Sequence, residues 1–420
     1  MFPSIAAFGH ARYHLRTMMK VLRSLPRWSV VAGLGVFAIG GSACSSTSSG
    51  GPAAGACSDI AVDRFKEIEI VDEAVVSDPR SLNASAGAWS FRHVIEELTP
   101  AGMTPSAFVT KWLQSWNAQT SINTFAVPGR MKVGPVLTCP WLRRTPANAC
   151  NDDCSTCSAH ELDLASAPFR LIGLANRIDL RETEGVGEAR LIYALTDGAA
   201  DDAASPALAM TAIFEFDVVE TDIKAWAEKW HSLGKHEAFD ESYRAELAQI
   251  YAGLVTRGSA PARPFGSALS QVRTNERVFD WQWDFRQFEL GATGLVQGGT
   301  TNTPDRSLNG TPALKNWVLS NKTSVMEDKH KLPESLTGGS VSPSPWQVPG
   351  VDESLRSAFA KQTCDGCHQI EAKSIDINFQ VSPFKKGIDK LAPFLNDVAS
   401  PKTDELTSRE ASMQRALCGQ

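Results

Sequence analysis

Ala209-Met-Thr-Ala-Ile-Phe-Glu-Phe-Asp-Val-Val219 decides how this chain is read. Its apolar, aromatic and β-branched residues run without a helical period, and a short apolar run of this kind reads as a buried strand. Phe169-Arg-Leu-Ile-Gly-Leu-Ala-Asn176 and Ala189-Arg-Leu-Ile-Tyr-Ala-Leu195 have the same character. The gaps between the three carry no helical period, so the sequence predicts hairpins rather than βαβ units. Working outward, Ile68–Val76 has strand-like content, and Trp281–Leu290 alternates aromatic and polar residues as an exposed strand would. Apolar residues at helical spacing mark Trp89–Leu98, Ser106–Trp116, Thr221–Leu233, Ser242–Val255 and Thr311–Met326. The fold class is α+β: a mixed or antiparallel sheet body with packed helices over 58–335. Residues 336–350, rich in Gly, Ser and Pro, read as a linker to a small, mostly helical unit over 351–420.

The 420 residues carry a formal net charge of −6. Arg12, Arg16, Lys20, Arg23 and Arg27 precede Cys44 and no acidic residue does, so the balance beyond that point is −11. An acidic chain with no basic stripe excludes a nucleic-acid partner. A basic stretch, the uncharged apolar run Trp28–Gly41 and then small residues form the order of an export signal, predicted over 1–43. Gly41-Ser-Ala-Cys44 resembles a lipobox, which would make Cys44 a lipidated N-terminus and a membrane anchor. The Ser-, Gly- and Ala-rich residues 44–57 then serve as a flexible tether. The expected location is the periplasm or cell envelope.

Export makes disulfides the default for the nine cysteines. With Cys44 and the Cys364/Cys367 pair set aside, Cys57, Cys139, Cys150, Cys154, Cys157 and Cys418 remain for three bridges of open connectivity. Cys139 is a natural partner for one of the dense Cys150/Cys154/Cys157 cluster. Those three with His160 can also form a tetrahedral zinc site, though an oxidising compartment favours bridges.

The sharpest motif is Cys364-Asp-Gly-Cys367-His368, the c-type haem attachment pattern. Two thiols would form thioethers to one haem, and His368 would bind its iron from below. A helix-like stretch from Asp352 leads into the motif, as in cytochrome c domains. Met413, the only methionine beyond it, is a weak candidate for the second axial ligand, with His330 and Met326 weaker still. The competing reading is a haem-free motif in which the cysteines form disulfides beside a surface histidine.

Gly87-Ala-Trp-Ser-Phe, Asn176-Arg-Ile-Asp-Leu-Arg181, Trp226–Gly234, Val272-Arg-Thr-Asn-Glu276 and Phe359–His368 together resemble a group of uncharacterised exported proteins of myxobacteria and related bacteria. That group carries a C-terminal cytochrome c-like Cys-x-x-Cys-His block, which Phe359–His368 resembles. The resemblance implies export and a shared architecture. A second block in the group places a histidine where Asn378-Phe-Gln-Val-Ser-Pro-Phe384 has Gln380. If that histidine serves as a distal ligand there, this chain has lost it.

His231 and His236 read as helix-terminal histidines rather than a metal pair. Arg177, Asp179 and Arg181 read as a buried ion pair or an anion contact. No serine-hydrolase elbow, zinc-protease motif or P-loop is present, so an enzymatic role rests only on a possible oxidoreductase component. The leading expectation is an exported, lipid-anchored haem c protein that transfers electrons to a redox partner protein. The alternative is a haem-free, disulfide-stapled envelope protein that binds a ligand or partner.

Overall fold

The strand-forming stretches build one seven-stranded antiparallel sheet in the order β1-β4-β5-β6-β7-β8-β9. In the computed structural model these are β1 (Glu69–Ile70), β4 (Phe169–Arg177), β5 (Glu188–Thr196), β6 (Ala207–Asp217), β7 (Leu269–Glu276), β8 (Asp284–Gly291) and β9 (Gly294–Gly298). The short strands β2 (Thr120–Ile122) and β3 (Phe125–Val127) form a separate hairpin. The structure describes residues 60–146, 148–158, 161–181, 187–341, 345–368, 371, 379–397 and 404–419. The predicted export segment, the tether, Cys44, Cys57 and His160 lie outside them.

From β4 to β9 each strand pairs with its successor in sequence, so the expected hairpins are found and the fold is α+β. Side chains alternate across a strand. On β5, Ala189, Leu191, Tyr193 and Leu195 enter the main core, while Ile192 and Ala194 join a second cluster on the opposite face. On β6, Met210, Ala212, Phe214 and Phe216 repeat the inward set. The main core is aromatic. Phe91 stacks on Phe169 at 4.3 Å between centroids, and Trp112 and Trp116 close over Phe288. Helices Phe91–Leu98, Pro105–Gln114, Ile223–His231 and Glu241–Val255 supply its upper layer. Each is started by a side-chain cap, from Ser90, Thr104, Asp222 and Asp240 respectively.

Three sequence expectations are corrected. The Ile68–Val76 stretch gives only two strand residues, because Asp72 caps a short helix at Glu73–Val76. The strand expected to be exposed within Trp281–Leu290 is buried: Phe285, Arg286, Gln287 and Phe288 are all at most 2% exposed. It lies between β7 and β9 and is bridged at Phe285 by Val341. The linker is not a free spacer. Trp346 and Val348 are buried with Leu314, Val318, Leu355 and Phe359, so two apolar anchors override the Gly, Ser and Pro around them.

The C-terminal residues form one compact unit with the body. Val381, Leu391, Leu395 and Leu406 cover the second face of the sheet with Ile68, Val71, Ile172 and Ile192. The Glu405–Leu417 helix reaches round to the main core through Met413, Ala416 and Leu417. An antiparallel sheet commonly leaves one face to water; here every residue of β5 is buried.

Candidate functional site

Cys364–His368 forms a single helical turn directly after the Glu353–Lys361 helix, and all five residues are buried. Gly366 makes that junction possible: a Cβ there would lie 1.8 Å from the Ala360 carbonyl oxygen. The Cys364 amide donates to Thr303 Oγ1 at 2.9 Å. Trp346 Nε1 donates to Asp365 at 2.7 Å and to Thr363 Oγ1 at 2.9 Å, so the former linker clamps the turn. Burial lifts the Asp365 carboxyl to about 6.

His368 sits against two aromatic rings, Phe285 at 5.0 Å and Trp283 at 6.0 Å between centroids. Its Nδ1 is 3.4 Å from Asn275 Nδ2, and Trp283 Nε1 donates to Asn275 Oδ1. His368, Asn275, Gln380, Thr211, Arg177, Arg190 and Arg409 are among the residues that line one pocket of about 30 Å³ between the turn and the sheet. Gln380, the position at which the resembling group carries histidine, reaches Cys367 Sγ with its amide at 2.8 Å.

The pocket floor is a buried ion-pair network. Arg177 pairs with Asp179 at 2.7 Å, Arg409 with Glu69 at 2.8 Å, and Arg190 with Glu188 at 2.7 Å. Glu405 lies between Arg409 and Arg177, and Glu215 between Arg190 and Arg273. Burial raises Glu188 to about 7 against the pull of Arg190, and it raises Glu69 and Glu405 in the same direction. Burial also pushes Asp179 upward, but Arg177 outweighs it and leaves that carboxyl below its ordinary value. Strand alternation is the signal that could have found this floor. Glu188, Arg190 and Glu215 fall on the off-phase of strands that read as almost wholly apolar.

The other expected site residues are placed elsewhere. Met413 is in the main core, its sulfur 4.0 Å from the Asn176 amide, and does not line the His368 pocket. Its apolar neighbours and helical phase make it a core residue. His330 is buried between Trp317 and Phe359 with neither ring nitrogen hydrogen-bonded, and burial lowers its imidazole to about 4. Met326 is exposed. Cys139 bridges Cys154 and Cys150 bridges Cys157. The Cys150, Cys154 and Cys157 sulfurs lie within 4.8 Å of one another, but bridging consumes all three as metal ligands. Cys418 is also disulfide-bonded. His231 ends its helix and pairs with Glu67 at 2.9 Å. His236 lies between Glu246 at 2.8 Å and Ser242 at 3.1 Å. Ser242 is exposed and donates to the capping Asp240 at 2.7 Å, so this trio organises a helix start rather than a nucleophile.

Haem c does not fit the arrangement around His368. Cys364 keeps a free thiol, but it packs into solid apolar contact with Trp283, Phe285 and Val341, and burial lifts it to about 11. Cys367 is held in a disulfide. The space of about 30 Å³ accommodates a water-sized group, whereas sites for drug-sized ligands run to about 300 Å³ or more.

Fold and site thus define a disulfide-stapled α+β protein with a buried Cys-His turn over a charged sheet face. No family model, curated protein or solved structure matches the chain. Among the described residues, no helix is long and apolar enough to cross a membrane.

Proposed function

We propose that this is a disulfide-stapled protein of the cell envelope that binds a small polar ligand, without haem, in the pocket beneath His368. One observation carries the reading. Arg177, Asn275, His368 and Gln380 come from four separate stretches of sequence and converge on one small pocket. Each stretch belongs to a block that resembles the exported group, and kinship with that group is part of the proposal. The pocket's size and polar lining suit a small hydrogen-bonding group. The disulfides suit an oxidising compartment. Export, with lipidation at Cys44 as the membrane attachment, belongs to the same reading.

A second reading has one observation in its favour: Cys364, Cys367 and His368 share one buried turn, as haem c attachment and electron transfer to a redox partner would require. The test is to express the chain in an exporting host with haem-attachment machinery and take a visible spectrum, a haem stain and an intact mass. We expect colourless protein, with Cys364 alkylated only after unfolding. Covalent haem lost in Cys364→Ala would overturn the ligand-binding reading and establish the second. Binding is read with formate and ammonium as the smallest polar probes. A ligand specific to the folded state raises Tm, and Asn275→Leu should abolish the rise.

A further inference from the structure

Residues 381–391 form a closed loop with a tip unlike the rest of the surface. At its neck, Val381 and Leu391 make an antiparallel bridge, and the Ser382 amide donates to the Lys390 carbonyl at 2.7 Å. Lys390 is buried and fixes the base, with Nζ 2.8 Å from Glu73 Oε1 and 3.3 Å from the Val71 carbonyl. Gly387, at φ +52°, turns the chain, and its amide donates to Glu73 Oε1 at 3.2 Å. The tip presents Phe384, 51% exposed, and Ile388, 46% exposed, on either side of the exposed Lys385 and Lys386. Among the described residues, neither lysine has a carboxylate within ion-pair distance. An open hollow of about 810 Å³ lies beside the tip and is lined by Lys385, Lys386 and Ile388, with Asp389 and Asp397 among its other walls.

Large apolar side chains exposed beside unpaired ammonium groups on a braced loop match one surface chemistry: acyl-chain boundary below, anionic headgroups above. We propose that the Phe384–Ile388 tip docks on a bilayer surface that carries anionic phospholipid. Charge complementarity selects the occupant. The chain beyond Cys44 has a formal balance of −11, so an anionic membrane repels most of the molecule. The tip reverses that sign: Lys385 and Lys386 outweigh Asp389, while Lys390 is neutralised by Glu73. Docking there would set the orientation of the protein on its membrane. Gln380, which lines the His368 pocket, directly precedes the loop, and Val381, also in its lining, forms the loop's neck.

The test uses the chain from Ser45 onward, which retains every described residue and carries no acyl chain. It is sedimented with vesicles of phosphatidylglycerol and phosphatidylcholine in equal parts, and with phosphatidylcholine alone. Binding is expected to the first and not the second, and to weaken as salt rises. Each lysine near an anionic surface contributes about 1 kcal/mol, so Lys385→Glu with Lys386→Glu should lower binding by about thirtyfold or more. Phe384→Ser should weaken it further, and Asp389→Asn should strengthen it. All four positions are exposed, and an unchanged Tm verifies folding. Equal binding to both vesicle types, binding to neither, or no response to the lysine substitutions would overturn the proposal.

Discussion

The two faces of the sheet both carry buried residues, yet they differ in how much charge they bury. One is mostly aromatic and aliphatic, with Phe91, Trp112, Phe169, Tyr193 and Phe214 packed together and a buried cluster of Arg130, Glu276, Arg286 and Asp284 at its β7–β8 end. The other sets Arg177, Arg190 and Arg273 of the sheet, with Arg409 of the covering C-terminal helix, among carboxylates. Over the aromatic part of the first, any well-packed apolar volume would serve. On the second, each charge is tolerable only because a specific partner is in place.

The largest effect should come from breaking that partnership. Arg409→Met leaves Glu69 and Glu405 buried against one lost guanidinium and should cost about 3–5 kcal/mol in urea denaturation. Trp112→Ala on the opposite face should cost about as much through a cavity. The faces separate in the rescue. Adding Glu69→Leu to Arg409→Met should recover most of the loss, whereas the cavity has no such single-site remedy. Failure of the rescue would show that Glu405 rather than Glu69 dominates the pairing.

The charged face should also write a pH dependence, centred on Glu188. Glu188 is lifted from an ordinary 4.5 to about 7, so the folded state holds its proton more tightly than the unfolded chain. Its contribution is complete below pH 4.5 and is lost as pH rises through about 7. A fall of up to about 3 kcal/mol follows from such a shift. Glu276, on the aromatic face between Arg130 and Arg286, is also raised by burial to about 7 and adds to the same window. Melting curves from pH 5 to 8 should show the decline, and Glu188→Gln should flatten it. A slope unchanged in the variant would place the titration elsewhere.

Gly366→Ala tests the turn that caps the charged face. The added methyl meets the Ala360 carbonyl, and overpacking of this kind costs about 1–3 kcal/mol. The smallest effect is expected at Gln380→His, on the half-buried rim of the pocket: a stability change within about 1 kcal/mol and no new visible absorbance. A Soret band that shifted with this substitution would favour the haem reading over a ligand pocket.

The sequence by itself determined the α+β class, the hairpins of β4 to β6, the Asp222 start of the Ile223–His231 helix, and that the cysteines outside the Cys-x-x-Cys-His motif would favour disulfides, though not which pairs form. These depend on local periodicity, the capping Asp222 and redox chemistry, which can be read along the chain. Only the tertiary structure decided that 336–350 packs rather than links, because Trp346 and Val348 find apolar partners on helices far away in sequence. It alone moved Met413 into the core, set Gln380 beside Cys367, and enclosed His368 with residues from separate strands. Which face a strand residue joins, and what covers that face, depends on contacts across hundreds of residues. A charged face buried by a distant segment therefore has no local signature beyond the off-phase arginines and glutamates of β5 and β6.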